Sequence, residues 1–205
     1  MKIAIHQPEH LPWLGYFDKM AKVDLHVFLD NVQYRKNYFQ NRNRIETGWL
    51  TVPVITRGHI SSQIKDMRID NTQPWQRKYW GKLSQCYSKC PHYKNHSDTI
   101  KSIVMSDYEF LVDINYAFID FFKRCFAINT PTILASDLTV NGNKSDIILD
   151  ICREMKANTY LSGLSGRKYL DLKKFQEAGI GIEFHDYPNG GEPLSSLDYI
   201  MMMKG

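Results

Sequence analysis

Near the start of the chain apolar residues fall in two short runs, at positions 3–5 and 25–29, and each stops abruptly at polar groups. His6 and Gln7 follow the first run, and Asp30 and Gln33 follow the second. Between them lie a turn over 8–12, rich in proline, and a helix-compatible stretch over 13–21. Strand, turn, helix and strand make a βαβ unit, and in such units ligands sit beyond the carboxyl ends of the strands. His6 and Asp30 are both expected at that edge.

Further along, 33–44 carries no apolar period and reads as a loop, whereas 49–54 has β-branched character and reads as an edge strand. A polar connection over 56–71 holds a possible short strand at 67–69. Pro74 then suits the first turn of a helix. Trp75, Tyr79, Leu83, Cys86 and Cys90 recur at helical spacing and give that helix one buried face. Helices are also predicted over 97–105 and over 108–126, the latter with a stripe of Phe110, Ile114, Ala117, Phe121 and Cys125.

The remaining pattern alternates: a strand at 131–136, a helix at 144–157, a strand at 159–162, a small-residue turn at 163–166, a helix at 167–178, a strand at 180–184 and a turn-rich tail at 188–193. Gly179 fits the cap that ends the last helix. This order predicts a three-layer α/β domain with a mainly parallel sheet and a helical insertion over 74–126, one domain spanning 1–205.

Composition narrows the classes. A hydrophobic content of 43% with 13% aromatics excludes a disordered chain, and 205 residues suffice for one well-buried core. A net charge of +4, with basic residues scattered as well as clustered, suits small anions better than nucleic acid, so no nucleic-acid partner is expected. No apolar run approaches the roughly 18 residues of a membrane span, and the N-terminal apolar segment is too short for a signal peptide. A cytoplasmic location is the expectation, with Cys86, Cys90, Cys125 and Cys152 reduced and the last two read as small core residues.

Three groups carry candidate chemistry. His6, Gln7, His10 and Trp13 surround the first turn, and His6 is a candidate general base at neutral pH. Asp30, Gln33, Lys36, Asn41, Arg42 and Asn43 follow the second strand, mixing amides and cations with Tyr34, Tyr38 and Phe39. That mixture suits sugar hydroxyls and phosphates, with Arg42 or Lys36 able to hold a diphosphate. The third group is Ser162, Gly163 and Arg167, where small residues follow a strand and expose backbone amides. With Ser136 and Asp137 after another strand, these ends are expected to meet in a single pocket.

Cys86, Cys90, His92 and His96 have superficially zinc-like spacing. The two cysteines continue the stripe begun by Trp75, so no metal is assigned. The sequence identifies no cofactor and leaves the oligomeric state open.

The run IHQPEHLPWLGYFDKM, then FLDNVQYRKNYFQNRNRI and WLTVPV, resembles the WbqC-like protein family, and ICREMKANTYLSG, YLDLKKFQEAGI and LSSLDYI agree in order and spacing. The family pattern singles out His6, Gln7, Trp13, Gly15, Asp30, Gln33, Lys36, Asn41, Arg42, Asn43 and Trp49. The resemblance implies a place among proteins of bacterial surface-polysaccharide biosynthesis, O-antigen especially. Combined with the polar strand ends, it leads to an expected transferase for the amine of a nucleotide-linked amino sugar, using an acyl, formimidoyl or aminoacyl donor that the sequence does not identify. His6, Asp30 and Asn43 are its candidate catalytic residues. The alternatives are a nucleotidylyltransferase-like enzyme, which the strand–turn–helix layout suits although an HxGH pair is missing, and a noncatalytic glycan-pathway binding or scaffold protein.

Overall fold

The computed structural model describes residues 1–59, 61–140, 142–188 and 194–202. It has a five-stranded, all-parallel sheet with helices on it, a three-layer α/β fold with seven α-helices among the described residues. Two compact units organise the chain. The first comprises Met1–Gln7, Gly15–Asn31 and Ile128–Gly190, and the second Pro8–Leu14, Val32–Ala127 and Gly191–Gly205.

The first unit holds the sheet. Its strands are β1 (Lys2–His6), β2 (Leu25–Phe28), β5 (Thr132–Leu134), β6 (Thr159–Gly163) and β7 (Gly181–His185), in the order β5-β2-β1-β6-β7. Ile3, Ala4 and Ile5 are buried, as are His26, Val27 and Phe28 and, on β6, Tyr160, Leu161 and Ser162. These near-continuous apolar runs are what a parallel strand covered on both faces requires. Helix α1 (Leu14–Ala21) connects β1 to β2, α5 (Ser145–Glu154) connects β5 to β6, and α6 (Leu172–Glu177) connects β6 to β7. The order steps one way from β1 to β2 and the opposite way from β6 to β7, so the right-handed crossover rule assigns α1 to one face and α5 and α6 to the other. The strand order therefore reverses between β1 and β6.

The second unit contains β3 (Arg42–Ile45) and β4 (Gly48–Thr51), paired antiparallel with Asn43 opposite Leu50. It also contains α2 (Trp75–Tyr87), α3 (Tyr93–Met105), α4 (Leu111–Cys125) and α7 (Ser196–Met202). Its interior is apolar and aromatic, with Leu50, Ile64, Met67, Leu83, Ile100, Ile114 and Phe118 at or near full burial.

Several sequence expectations change here. The predicted loop at 33–44 ends in a strand, β3, whose alternating burial puts Asn43 and Ile45 inside. The α2 stripe runs Trp75, Tyr79, Leu83, Tyr87, and Cys86 and Cys90 are only half-buried. On α4 the buried face is centred on Leu111, Ile114, Asn115, Phe118 and Phe122, and Cys125 is exposed. Cys152 is fully buried. The helix expected from 167 starts at Leu172, because a 3-10 turn occupies Leu164–Lys168 and Asp171 caps the α-helix by accepting from the Lys174 amide. Gly179 has φ +70°, the left-handed conformation of a helix-ending glycine. Of the predicted tail turn, 189–193 lies outside the described residues.

Candidate functional site

Each sheet strand in the first unit ends on polar chemistry at the carboxyl edge. His6 is the last residue of β1, Asp30 lies two residues beyond β2, Ser136 two beyond β5, and Ser162 and Gly163 close β6. The β1–β2 ladder runs from Ile3 to His6, whereas the β1–β6 ladder is recorded at Lys2 and Ile3 only. Strand pairing thus ends early on the side where the order reverses, the point at which open α/β sheets accept ligands.

His6 is half-buried and stacks on Tyr16 of α1, with ring centroids 4.7 Å apart. Lys19 is 4% exposed, and its Nζ lies 3.0 Å from His6 Nδ1. Spacing explains the meeting: Tyr16 and Lys19 are three residues apart on one helix face, and that face turns to the end of β1. A lysine ammonium has donors and no acceptor. With Lys19 charged, Nδ1 must accept, so the ring proton sits on Nε2. Lys19 was not among the residues that the sequence singled out. Its one signal was a cation on the Tyr16–Met20 face of an otherwise amphipathic helix.

Asp30 is 2% exposed, and both its oxygens are used: Oδ1 accepts from the Ser136 amide at 2.9 Å and Oδ2 from the Ser136 hydroxyl at 2.6 Å. The carboxylate ties the end of β2 to the end of β5. Ser162 is 1% exposed and donates to its neighbour's carbonyl, Gly163 O, at 3.0 Å. A Cβ on Gly166 would lie 2.0 Å from Ser162 Oγ and 3.0 Å from Leu170 Cδ1, so any side chain there must displace its neighbours. Gly166→Ala is expected to cost about 2 kcal/mol by overpacking. A thermal melt checks it, and a variant melting with the parent would contradict the close approach. Arg167 is exposed, with its guanidinium 4.8 Å from the Phe184 ring centroid.

The second unit holds the other predicted site residues: His10, Trp13, Gln33, Lys36, Asn41, Arg42 and Asn43. His10 is completely buried, with Nδ1 2.9 Å from Asn115 Oδ1 and Nε2 2.7 Å from the Tyr79 hydroxyl. The Asn115 amide donates to Pro8 O at 3.2 Å and Gln40 O at 2.8 Å, which leaves its Oδ1 to accept. Nδ1 of His10 therefore carries the proton and Nε2 accepts from Tyr79. Desolvation lowers the His10 pKa to about 4, against a smaller upward pull from Asn115.

Asn43 is 1% exposed and donates to Leu11 O at 2.8 Å and to His10 O at 3.3 Å. Leu11 has φ +45°, costly for a branched side chain, so Asn43 braces a strained turn. Asn43→Ala strands buried carbonyls and is expected to cost about 2 kcal/mol in urea unfolding. An unchanged midpoint would show that the turn holds itself.

Asn41 donates to Val52 O at 2.8 Å. Arg42 donates to Asn37 O at 2.7 Å, and its guanidinium lies 4.3 Å over the Trp49 ring. Trp13 is half-buried, and Gln33 and Lys36 are exposed. Among the described residues no group of three His, Cys, Asp or Glu side chains is arranged to hold a metal ion. Cys90 Sγ instead lies 3.3 Å from Met202 Sδ. No described helix is long and apolar enough to cross a membrane.

The family model described as the WbqC-like protein family matches residues 7–202. Among curated proteins the chain is similar to "Uncharacterized protein Rv1507c" of Mycobacterium tuberculosis, 32% identical over 191 residues, covering 91% of this chain and 82% of the relative. No solved structure matches the chain.

Proposed function

The chain belongs to the WbqC-like protein family, whose membership supports a polysaccharide-pathway protein, and from that premise we propose an enzyme acting on a nucleotide-linked amino sugar. The reaction is transfer of an acyl, formimidoyl or aminoacyl group to the sugar amine. The observation that carries this reading is the reversal of strand order between β1 and β6, with His6 and Gln7 on one side and Ser162, Gly163 and Arg167 on the other. Doubly wound sheets take nucleotides at that position.

In the transfer, the amine nitrogen bonds to the donor's electrophilic carbon and an oxyanion (for a formimidoyl donor, its nitrogen counterpart) develops. Collapse expels the donor's leaving group, and the amine proton departs with it or to solvent. His6 Nε2–H donates to the developing charge, Lys19 fixes the ring in that tautomer, and Arg167 supplies a cation for the nucleotide phosphates. Asp30 and Ser136 hold two strand ends rather than react. Calorimetry with dTDP- and UDP-linked amino sugars is expected to give saturable heat with at least one of them. A flat response across the panel would sink the reading.

Nucleotidylyl transfer is a second reading, favoured by the Lys19–His6 pair. A cation backing an N–H donor suits phosphate charge and needs no strong base. Release of pyrophosphate from a nucleoside triphosphate in the presence of a sugar phosphate would select it.

A further inference from the structure

Within the second unit, β4 and the start of α2 enclose a cavity of about 720 Å³ that the strand-edge reading does not use. Its size falls within the roughly 300–1,000 Å³ of small-molecule sites. Trp49, Trp75, Tyr79, Leu50, Pro53 and Pro74 form apolar and aromatic lining, and Thr51, Gln73, Lys78 and Lys82 add polar groups.

The lining has a definite chemistry. Trp49 is 40% exposed, unusual for so large a ring, and the Arg42 guanidinium stacked 4.3 Å from its centroid braces it. Lys78 and Lys82 are one helical turn apart on α2, and among the described residues no carboxylate lines the cavity. Lys82 donates to Trp49 O at 2.8 Å, which leaves two further N–H groups on the same ammonium. Tyr79 is tied to His10 at the floor, so that wall is rigid.

We propose that this cavity binds an anionic sugar: a pyranose whose C–H face lies on Trp49, whose hydroxyls meet Gln73 and Thr51, and whose carboxylate or phosphate meets Lys78 and Lys82. An aromatic wall alone would take any apolar ring. The paired lysines set against uncharged amide and hydroxyl groups select one that is both hydroxylated and negative. A uronate and a sugar phosphate share this chemistry.

Ligand-observed NMR titration with methyl glucuronide, glucose 6-phosphate, methyl glucoside and uridine separates the possibilities. At least one anionic sugar is expected to bind, and methyl glucoside about tenfold or more weakly. Glucuronide alone would identify a carboxylate ligand, and glucose 6-phosphate alone a phosphate ligand. Trp49→Ala and Lys78→Gln are each expected to weaken that binding about tenfold while leaving nucleotide-sugar calorimetry unchanged. Lys78 is exposed, so its substitution leaves the fold intact and keeps the test clean. No binding of either anionic sugar overturns the proposal, as does equal binding of methyl glucoside or tighter binding of uridine. Absence of nucleotide-sugar heat in the parent protein, with its anionic-sugar binding intact, would instead count against the strand-edge site alone, and intact anionic-sugar binding in both variants would overturn the proposal.

Discussion

His6→Ala is expected to lower turnover of the nucleotide-sugar reaction by about 100-fold or more, with the fold and nucleotide-sugar binding retained. The magnitude is that of removing one donor from a developing oxyanion, a group that acts mainly in the transition state. His6 is half-buried at a strand end, so truncation leaves little cavity. The contact between Lys19 Nζ and His6 Nδ1 at 3.0 Å makes the role testable. If Nε2–H is the working group, His6→Gln restores part of the lost rate, because a glutamine amide can present an N–H at a similar reach. If His6 were a general base, glutamine would rescue nothing. Lys19→Met should lower kcat with KM little changed, because the tautomer is no longer fixed. Full turnover by purified His6→Ala would remove His6 from the reaction, whereas an unaffected pathway in cells carrying His6→Ala would favour a noncatalytic binding or scaffold role.

The second large effect is acid sensitivity from His10. Its folded pKa, about 4, lies below the ordinary value of 6.5, so between those limits the unfolded chain takes up a proton that the folded chain refuses. Stability is therefore full above pH 6.5 and falls as pH drops towards 4, by about 3 kcal/mol if the shift is fully expressed. Urea unfolding at a series of pH values should show this loss. His10→Gln should be less stable at neutral pH, because Asn115 and Tyr79 lose a shared partner, and its stability should vary less over that window. A parent protein with flat stability from pH 6.5 to 4 would contradict the buried neutral imidazole.

The parallel sheet was legible because its strands are short apolar runs that end on polar residues, and nothing competes with that pattern in 3–5, 25–29 or 159–162. The sequence RNRI at β3 hid a strand, because its buried positions include Asn43, an amide kept inside by carbonyls thirty-odd residues away in the chain. On α4, apolar residues occur nearly all round, so sequence spacing picked Ala117 and Cys125 where packing uses Phe118 and Phe122. Polar groups at the strand ends were also legible, since His6, Asp30 and Ser162 are adjacent in sequence to the runs that place them. Partnership was not. That Asp30 is spent on Ser136, that His10 belongs to Asn115 and Tyr79, and that Lys19 stands behind His6 all depend on contacts 13 to 106 residues apart.

The role given to His6 requires the nucleotide-linked sugar to bind at the carboxyl edge of the sheet. A crystal structure with a bound nucleotide-linked amino sugar decides it. The expected result is a diphosphate or reacting group at the carboxyl ends of β1 and β6, with an oxygen within hydrogen-bonding distance of His6 Nε2, about 2.7–3.2 Å. A nucleotide seated in the Trp49–Lys78 cavity, or at the amino ends of the strands, with His6 facing only solvent, would contradict it.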